Sequence, residues 1–231
     1  MSKKNSYLGL SVVVLIFAVI FIPRIHDRIV NGSTVDNNRS SDPSKTFEAP
    51  KGRNEGDMTT FSDVPSFTFI NQNNDTITNA SYKNKIYVVE FFFSTCPSIC
   101  PIMNANMQQV QDAFAKRDDF GIASFSIDPT YDTPEVLKAY ADGYNVTHPN
   151  WNFLTGDKAD VLKLSNEGFK IYAAESDEAE GGFEHSGMFA LINKDGKVTS
   201  RIDENGNPLI YYDGLEQDGI DMLIEDIKKI L

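Results

Sequence analysis

The chain has 231 residues, which suffices for one domain of ordinary size with flanking segments but excludes two full domains joined by linkers. Apolar residues make up 41% of the sequence, which excludes a wholly disordered chain. The 33 Asp and Glu outnumber the 21 Lys and Arg without any basic stripe, so we expect no nucleic-acid partner, because phosphate neutralisation requires clustered Lys and Arg.

Residues 1–30 have the pattern of a membrane anchor. Lys3 and Lys4 precede an apolar run from Tyr7 to Ile22, which approaches the roughly 20 apolar residues of a spanning helix and exceeds the roughly 7–15 of a signal-peptide core. No small-x-small cleavage site follows, so an uncleaved signal anchor is favoured over a cleaved signal. The positive residues before the run place the N-terminus inside. We therefore expect a single-pass protein of the inner (cytoplasmic) membrane, with its domain facing the periplasm.

Residues 31–57 are predicted to form a polar linker, and residues 58–231 the folded domain. The linker is rich in Ser, Asn, Asp, Gly and Pro and has no apolar periodicity. In the domain, alternation over Phe67–Ile70 predicts a strand, which a turn connects to a short return strand at Thr76–Thr78. The nearly continuous apolar run Ile86–Phe93 predicts a strand buried on both faces, with helices on each side of its sheet.

The rest of the domain alternates between helices and strands. Apolar spacing and capping residues predict helices after Cys100, Thr133 and Asp157 and at the C-terminus. The predicted strands are 120–127, 151–154, 188–193 and 197–202. This alternation predicts an α/β domain with a mixed sheet. Glu175–Glu184 interrupts the pattern and is predicted to be a mobile acidic loop that ends at His185.

Cys96 and Cys100 are the two cysteines of the chain, and they stand between the central strand and a helix. A helix N-terminus favours thiolate over thiol, and residues i and i+4 of a helix point the same way. Three interpretations remain open: two buried apolar thiols, a disulfide pair, or a soft-metal site. Disulfide oxidoreductases usually carry Cys-x-x-Cys, with one residue fewer between the cysteines. Two thiolates are too few for a cluster or structural zinc, whereas Cu(I) is satisfied by two thiolates and an imidazole.

The three histidines differ in their suitability as a metal ligand. His26 lies beside the anchor, and His148 precedes a proline, where we expect a solvated or capping role. His185 ends the acidic loop, which would be able to deliver or withdraw it; a hydrogen-bonded structural histidine is the alternative. Met103 and Met107 lie on the apolar face of their helix, so we expect them to pack in the core rather than bind a metal.

The residues around the cysteines resemble those of the Sco/SenC family, whose members assist copper assembly in cytochrome c oxidase. The resemblance covers about residues 67–231 and rests on three segments in the family's order. These are Phe92–Pro101, Ser126–Pro134, and His185-Ser186 followed by a strand and Asp195-Gly196. The resemblance implies a thioredoxin-like fold, a mixed β-sheet flanked by helices.

The resemblance also implies a metal site and a partner. It implies that Cys96, Cys100 and His185 bind a copper ion, which is delivered to the dinuclear copper centre of cytochrome c oxidase subunit II. Asp128 would be an aspartate near the site. The chain departs from the family at Ser98, where an acidic residue often stands between the cysteines.

The leading functional hypothesis is therefore a copper chaperone that exchanges ligands with a partner's thiolates. Oxidation to a redox-active Cys96–Cys100 disulfide would release the metal, so a copper donor and a thiol reductase protein are further expected partners. The rival is a thiol–disulfide oxidoreductase, with Cys96 as the attacking thiolate. That reaction needs no imidazole, so the importance of His185 separates the two. A peroxidase would need an activating cation beside its cysteine, and no arginine is adjacent in this sequence. A redox or copper sensor would need an output domain, which we do not expect from this sequence.

Overall fold

The computed structural model describes residues 15, 17, 19, 21–23, 54–179 and 181–231. Most of the predicted anchor and of the predicted linker therefore lies outside the described residues. Among the residues that are described, no helix combines the length and apolar character needed to cross a membrane. Residues 54 onward, apart from Glu180, belong to the compact unit that carries the predicted site.

Three parallel strands form the centre of the sheet: β4 (Ile86–Phe92), β5 (Phe120–Ser126) and β6 (Trp151–Thr155). Every residue of these strands is buried. Burial of both faces is what the apolar runs predict, because a parallel strand is covered by helices on each side. The predicted central strand is therefore confirmed, and its carboxyl end leads directly into the cysteine segment.

Antiparallel strands extend the sheet in both directions. On the β4 side lie β9 (Met188–Ile192), β10 (Lys197–Arg201) and β1 (Met58–Asp63), and β9 also pairs with β11 (Tyr212–Asp213). On the β6 side lie β2 (Thr68–Asn71) and β3 (Thr76–Thr78). The sheet is thus mixed, which confirms the predicted α/β class.

Two strands, β1 and β11, were not predicted from the sequence. Strand β1 has no alternation of buried and exposed residues, and β11 is only two residues long, so neither leaves a periodic signal. Just before β1, Gly56 donates its N–H to the carbonyl of Ile202, and Ile202 donates to Asp57, both at 2.9 Å. The folded unit thus includes residues that precede Met58.

Within residues 54–179 and 181–231, four α-helices complete the layers: α1 (Ile99–Ala113), α2 (Pro134–Gly143), α3 (Lys158–Lys163) and α4 (Gln217–Ile230). The hydroxyl of Thr133 accepts the N–H of Val136, and the carboxylate of Asp157 accepts the N–H of Asp160, so both predicted N-caps are confirmed. Helix α3 continues into a π-helical turn at Leu164–Phe169.

The bounds predicted for the acidic loop, 175–184, are wrong at both ends. Strands β7 (Ala173–Glu175) and β8 (Phe183–His185) form an antiparallel hairpin in which Ala173 faces His185. The chain reverses through Gly181 and Gly182, whose φ angles of +89° and +83° suit glycine alone. Three-residue strands are too short for a visible period-two pattern, which is why the sequence suggested a loop. His185 consequently lies on a strand, not at the end of a loop.

Candidate metal and thiol site

The two cysteines lie where the central strand passes into α1. After β4, the chain turns so that Cys96 donates its N–H to the carbonyl of Phe93 at 3.2 Å. Cys100 then lies in the first turn of α1, whose N-cap is Ser98. Cys96 has 8% of its surface exposed and Cys100 none, and both are free thiols. Cys96 is therefore the cysteine that a partner can approach.

His185 completes a group of three ligand atoms. Its Nε2 lies 3.1 Å from the sulfur of Cys100, and the ligand atoms of Cys96, Cys100 and His185 all lie within 4.8 Å of one another. The other ring nitrogen, Nδ1, lies 3.3 Å from the carbonyl oxygen of Ser186, which requires Nδ1 to carry a proton. Nε2 is thus the ring nitrogen that faces the cysteines, as in a metal-binding histidine whose other nitrogen is hydrogen-bonded. The structure thus brings together the three residues that the sequence singled out.

The two thiols differ sharply in acidity. Interaction with the neighbouring Cys100 side chain is the main reason why the pKa of Cys96 falls to about 3. The His185 ring and the N–H groups of Cys100 and Ser98 add to this effect, while burial opposes it. The same interaction, together with burial, raises the pKa of Cys100 far above its ordinary value. The two sulfurs therefore titrate as a coupled pair, in which Cys96 is the more acidic.

Asp132, which the sequence did not single out, supports the cysteine segment. It is 1% exposed, and its carboxylate accepts the N–H of Ser94 at 3.1 Å and the hydroxyls of Ser94 and Ser126. These bonds tie the segment before Cys96 to the end of β5. An aspartate before Thr133-Pro134 has the appearance of a solvated residue near a helix start, so no sequence signal marked its burial.

Asp128, the aspartate implied by the resemblance, is half-buried and follows β5. Its backbone N–H donates to the hydroxyl of Ser126 at 3.1 Å, and its carboxylate is not part of the three-residue group. A role for Asp128 near the metal stays a prediction. The contacts that reach the cysteine segment belong to Asp132, four residues later.

Two further polar residues lie beneath the site. Asn104 donates to the carbonyl of Cys100 at 2.9 Å. Glu90 lies in β4 with no exposed surface, and one of its oxygens accepts the Ser124 hydroxyl at 2.6 Å. Burial raises the pKa of Glu90 to about 7, although the Ser124 hydrogen bond opposes the shift, and a charge on Glu90 contributes to the raised pKa of Cys100. The sequence placed Glu90 within an apolar run, and nothing there marked it as a site neighbour.

The other candidate ligands lie elsewhere. His148 is buried, so the solvated alternative is wrong. Its Nδ1 accepts the N–H of Asn150 at 3.1 Å, which agrees with the capping alternative. Met103 and Met107 are fully buried in the core, as predicted. His26 lies outside the described residues.

A cleft of about 410 Å³ opens beside the three ligands. Its lining includes Cys96, Ser98, Tyr172, Phe183 and His185. Tyr172 is 55% exposed, so the cleft offers an aromatic surface next to the reactive sulfur. A partner's side chain can reach Cys96 from this side.

Comparison with known proteins places the chain in a family. The SCO1/SenC family model matches residues 57–217. The SCO1 protein homolog of Bacillus subtilis is 34% identical over 168 residues, covering 72% of this chain and 81% of the relative.

Solved structures show the same fold. BsSco, a member of the Sco family of cytochrome c oxidase assembly proteins, is 32% identical with a TM-score of 0.62, covering 77% of this chain and 98% of BsSco. ScoI of Bradyrhizobium japonicum, solved with copper bound, is 24% identical with a TM-score of 0.58, covering 74% of this chain and all of ScoI, a likeness that shows the fold alone. The fold is thus the thioredoxin-like fold of Sco structures, and the chain belongs to the SCO1/SenC family.

Proposed function

We propose that this protein is a copper chaperone that binds Cu(I) as cargo through Cys96, Cys100 and His185. The observation that carries the proposal is the approach of two sulfurs and one imidazole nitrogen to within 4.8 Å of one another. Thiolates select soft metals such as Cu(I), and imidazole suits copper as well. Copper in a solved relative, ScoI of Bradyrhizobium japonicum, supports the choice of metal.

The site is largely prepared for loading. The lowered pKa of Cys96 favours its thiolate, so loading with Cu(I) mainly requires the loss of a proton from Cys100. The Cys100–His185 hydrogen bond then gives way to two metal bonds on nearly the same atoms. Because Cys96 lines the open cleft, ligand exchange with an incoming thiolate begins there.

The recipient we propose is the dinuclear copper centre of cytochrome c oxidase subunit II. Support comes from BsSco, which is described as belonging to a family of cytochrome c oxidase assembly proteins. An N-terminal anchor in residues 1–30 would hold the domain in the periplasm, at the membrane where the oxidase lies. A copper donor would load the site, and a thiol reductase protein would keep Cys96 and Cys100 reduced.

A second candidate function, thiol–disulfide oxidoreductase, is favoured by the acidity of Cys96. Its pKa of about 3 makes it a thiolate beside a protonated thiol. The Cys96 thiolate would attack one sulfur of a partner disulfide, form a mixed disulfide with it and release the other partner sulfur as a thiolate, which takes up a proton. The Cys100 sulfur, after losing its proton, would attack Cys96 and release the second partner sulfur as a thiol. The products are a reduced partner and a Cys96–Cys100 disulfide.

Competition for Cu(I) between the reduced full-length chain and a colorimetric chelator tests the proposal. We expect one copper per chain, loss of binding in Cys96→Ser/Cys100→Ser, and weaker binding in His185→Ala. Reduction of a disulfide-bonded test peptide, measured alongside, is expected to need the cysteines but not His185. A wild-type chain that fails to compete for Cu(I) yet reduces the peptide would overturn the chaperone in favour of the oxidoreductase.

A further inference from the structure

The hairpin that carries His185 is positioned by side-chain packing. Strands β7 and β8 pair with each other and, within the described part of the chain, with no strand of the main sheet. The ring of Phe93, at the end of β4, meets the hairpin twice: its centroid lies 5.3 Å from that of Phe183 and 5.7 Å from that of His185. Phe93 is 1% exposed, so its ring is a fixed surface against which the hairpin rests.

The turn of the hairpin makes a third contact with the same ring. A Cβ built on Gly181 would lie 2.8 Å from Cε2 of Phe93, 3.1 Å from its Cζ and 3.3 Å from Cδ of Pro97. Real Cβ atoms essentially never approach a neighbour as closely as 2.8 Å. Because Phe93 also packs against His185, the ring is unable to yield to a new methyl group without disturbing the ligand.

We propose that Gly181 is a positioning residue, whose missing side chain lets the hairpin turn close on Phe93 and Pro97 and so sets His185 against the thiols. The inference rests on the proposed copper function for its consequence and on the metal-free geometry for its basis. The acidic composition of residues 175–184 gives no indication of this role for the glycine. An alanine at this position pushes the turn away from Phe93 and withdraws Nε2 from Cys100.

Gly182 supplies a matched control. Its φ of +83° is close to the +89° of Gly181, so alanine suffers similar backbone strain at either position. Among the described residues, however, a Cβ on Gly182 meets nothing within 4 Å. The difference between Gly181→Ala and Gly182→Ala therefore isolates the contact with Phe93 and Pro97 from the strain.

The test compares both variants in the full-length chain, with and without His185→Ala. Gly181→Ala is expected to weaken Cu(I) binding by about ten-fold, as loss of a ligand's support does, and Gly182→Ala to leave binding at the wild-type value. In the His185→Ala background, Gly181→Ala is expected to cause no further loss. In the metal-free chain, the nitrogen chemical shifts of the His185 ring are expected to change in Gly181→Ala and not in Gly182→Ala.

Several results would overturn the inference. Equal effects of the two glycine variants would do so, as would a full Gly181→Ala loss that persists without His185. A Gly181→Ala chain that unfolds while Gly182→Ala stays folded would show that the glycine serves the whole fold. If the wild type binds no Cu(I), the chaperone proposal fails, while the ring chemical shifts of the metal-free chain still decide the role of Gly181.

Discussion

The two halves of the site are built differently. The cysteine half is the segment that connects β4 to the first turn of α1, and hydrogen bonds to Asp132 hold it at the end of β5. The histidine half is the β7–β8 hairpin, which rests on the ring of Phe93 and pairs with no strand of the main sheet as far as the structure describes the chain. A change in the hairpin therefore alters one ligand, whereas a change in the cysteine half disturbs the domain.

This difference suggests a division of tasks. In the proposed chaperone, two thiols at the end of the central strand fix where copper sits, and an imidazole on a separate hairpin adds the third ligand. A chaperone has to bind its cargo and also release it, so a third ligand carried outside the main sheet suits delivery. We therefore expect variants in the cysteine half to lose much stability and variants in the hairpin to lose little.

The largest loss is expected for Asp132→Ala. The change leaves the Ser94 N–H and two serine hydroxyls without their acceptor, which should lower the free energy of unfolding by about 4 kcal/mol, since each buried unsatisfied group costs about 1–3 kcal/mol. Denaturant unfolding measures the effect. Asp128→Ala is the control in the same segment and is expected to cost much less. Equal losses would show that the buried carboxylate does not brace the cysteine segment.

Glu90→Gln is expected to remove a pH dependence from the cysteine half. Burial raises the pKa of Glu90 from 4.5 to about 7, so the unfolded chain loses this proton first as the pH rises. The free energy of unfolding of the wild type should therefore fall, relative to Glu90→Gln, by about 3 kcal/mol between these two pH values. The exposed Glu135→Gln on α2 controls for lost negative charge. A wild type whose stability rises relative to Glu90→Gln over this interval would contradict the assignment.

Asn166→Ala is expected to act on the histidine half alone. The Asn166 amide donates to the carbonyl of Ala173 at 2.7 Å and accepts its N–H at 3.2 Å, which holds β7 to the π-helical turn. Loss of these bonds should lower the free energy of opening the hairpin by about 2 kcal/mol. Hydrogen exchange of the hairpin amides should become faster as a result. Amides of β4 provide the internal control. If β4 exchange accelerates equally, the hairpin is not an independent unit.

The smallest effect is expected for Lys158→Met. Lys158 forms an ion pair with Glu175 at 2.5 Å and lies 5.4 Å above the Phe183 ring. Both charged side chains are substantially exposed, so the pair should contribute less than about 1 kcal/mol. Thermal unfolding and Cu(I) competition should both change little. Lys138→Met, which removes the exposed α2 pair with Asp142, is the control, and a loss well above that control would mean that charge fixes the hairpin.

The sequence predicted the cysteine half better than the histidine half, and the reasons are physical. The apolar run at Ile86–Phe93 and the cysteine spacing are local signals, so the strand and the thiols were predictable. His185 was identified, but its strand was not, because two three-residue strands carry no periodic pattern. Asp132 and Glu90 were missed because their burial is decided by tertiary contacts. No sequence rule separates a buried carboxylate from a solvated one before the fold is known.

The three-ligand copper site is best tested by X-ray absorption at the copper edge of the Cu(I)-loaded full-length chain. We expect two sulfurs and one nitrogen around each copper in the wild type, from Cys96, Cys100 and His185. In His185→Ala, the two sulfurs should remain and the nitrogen should disappear. Three or more sulfurs per copper, or a nitrogen that persists in His185→Ala, would contradict a site built from these three residues of one chain.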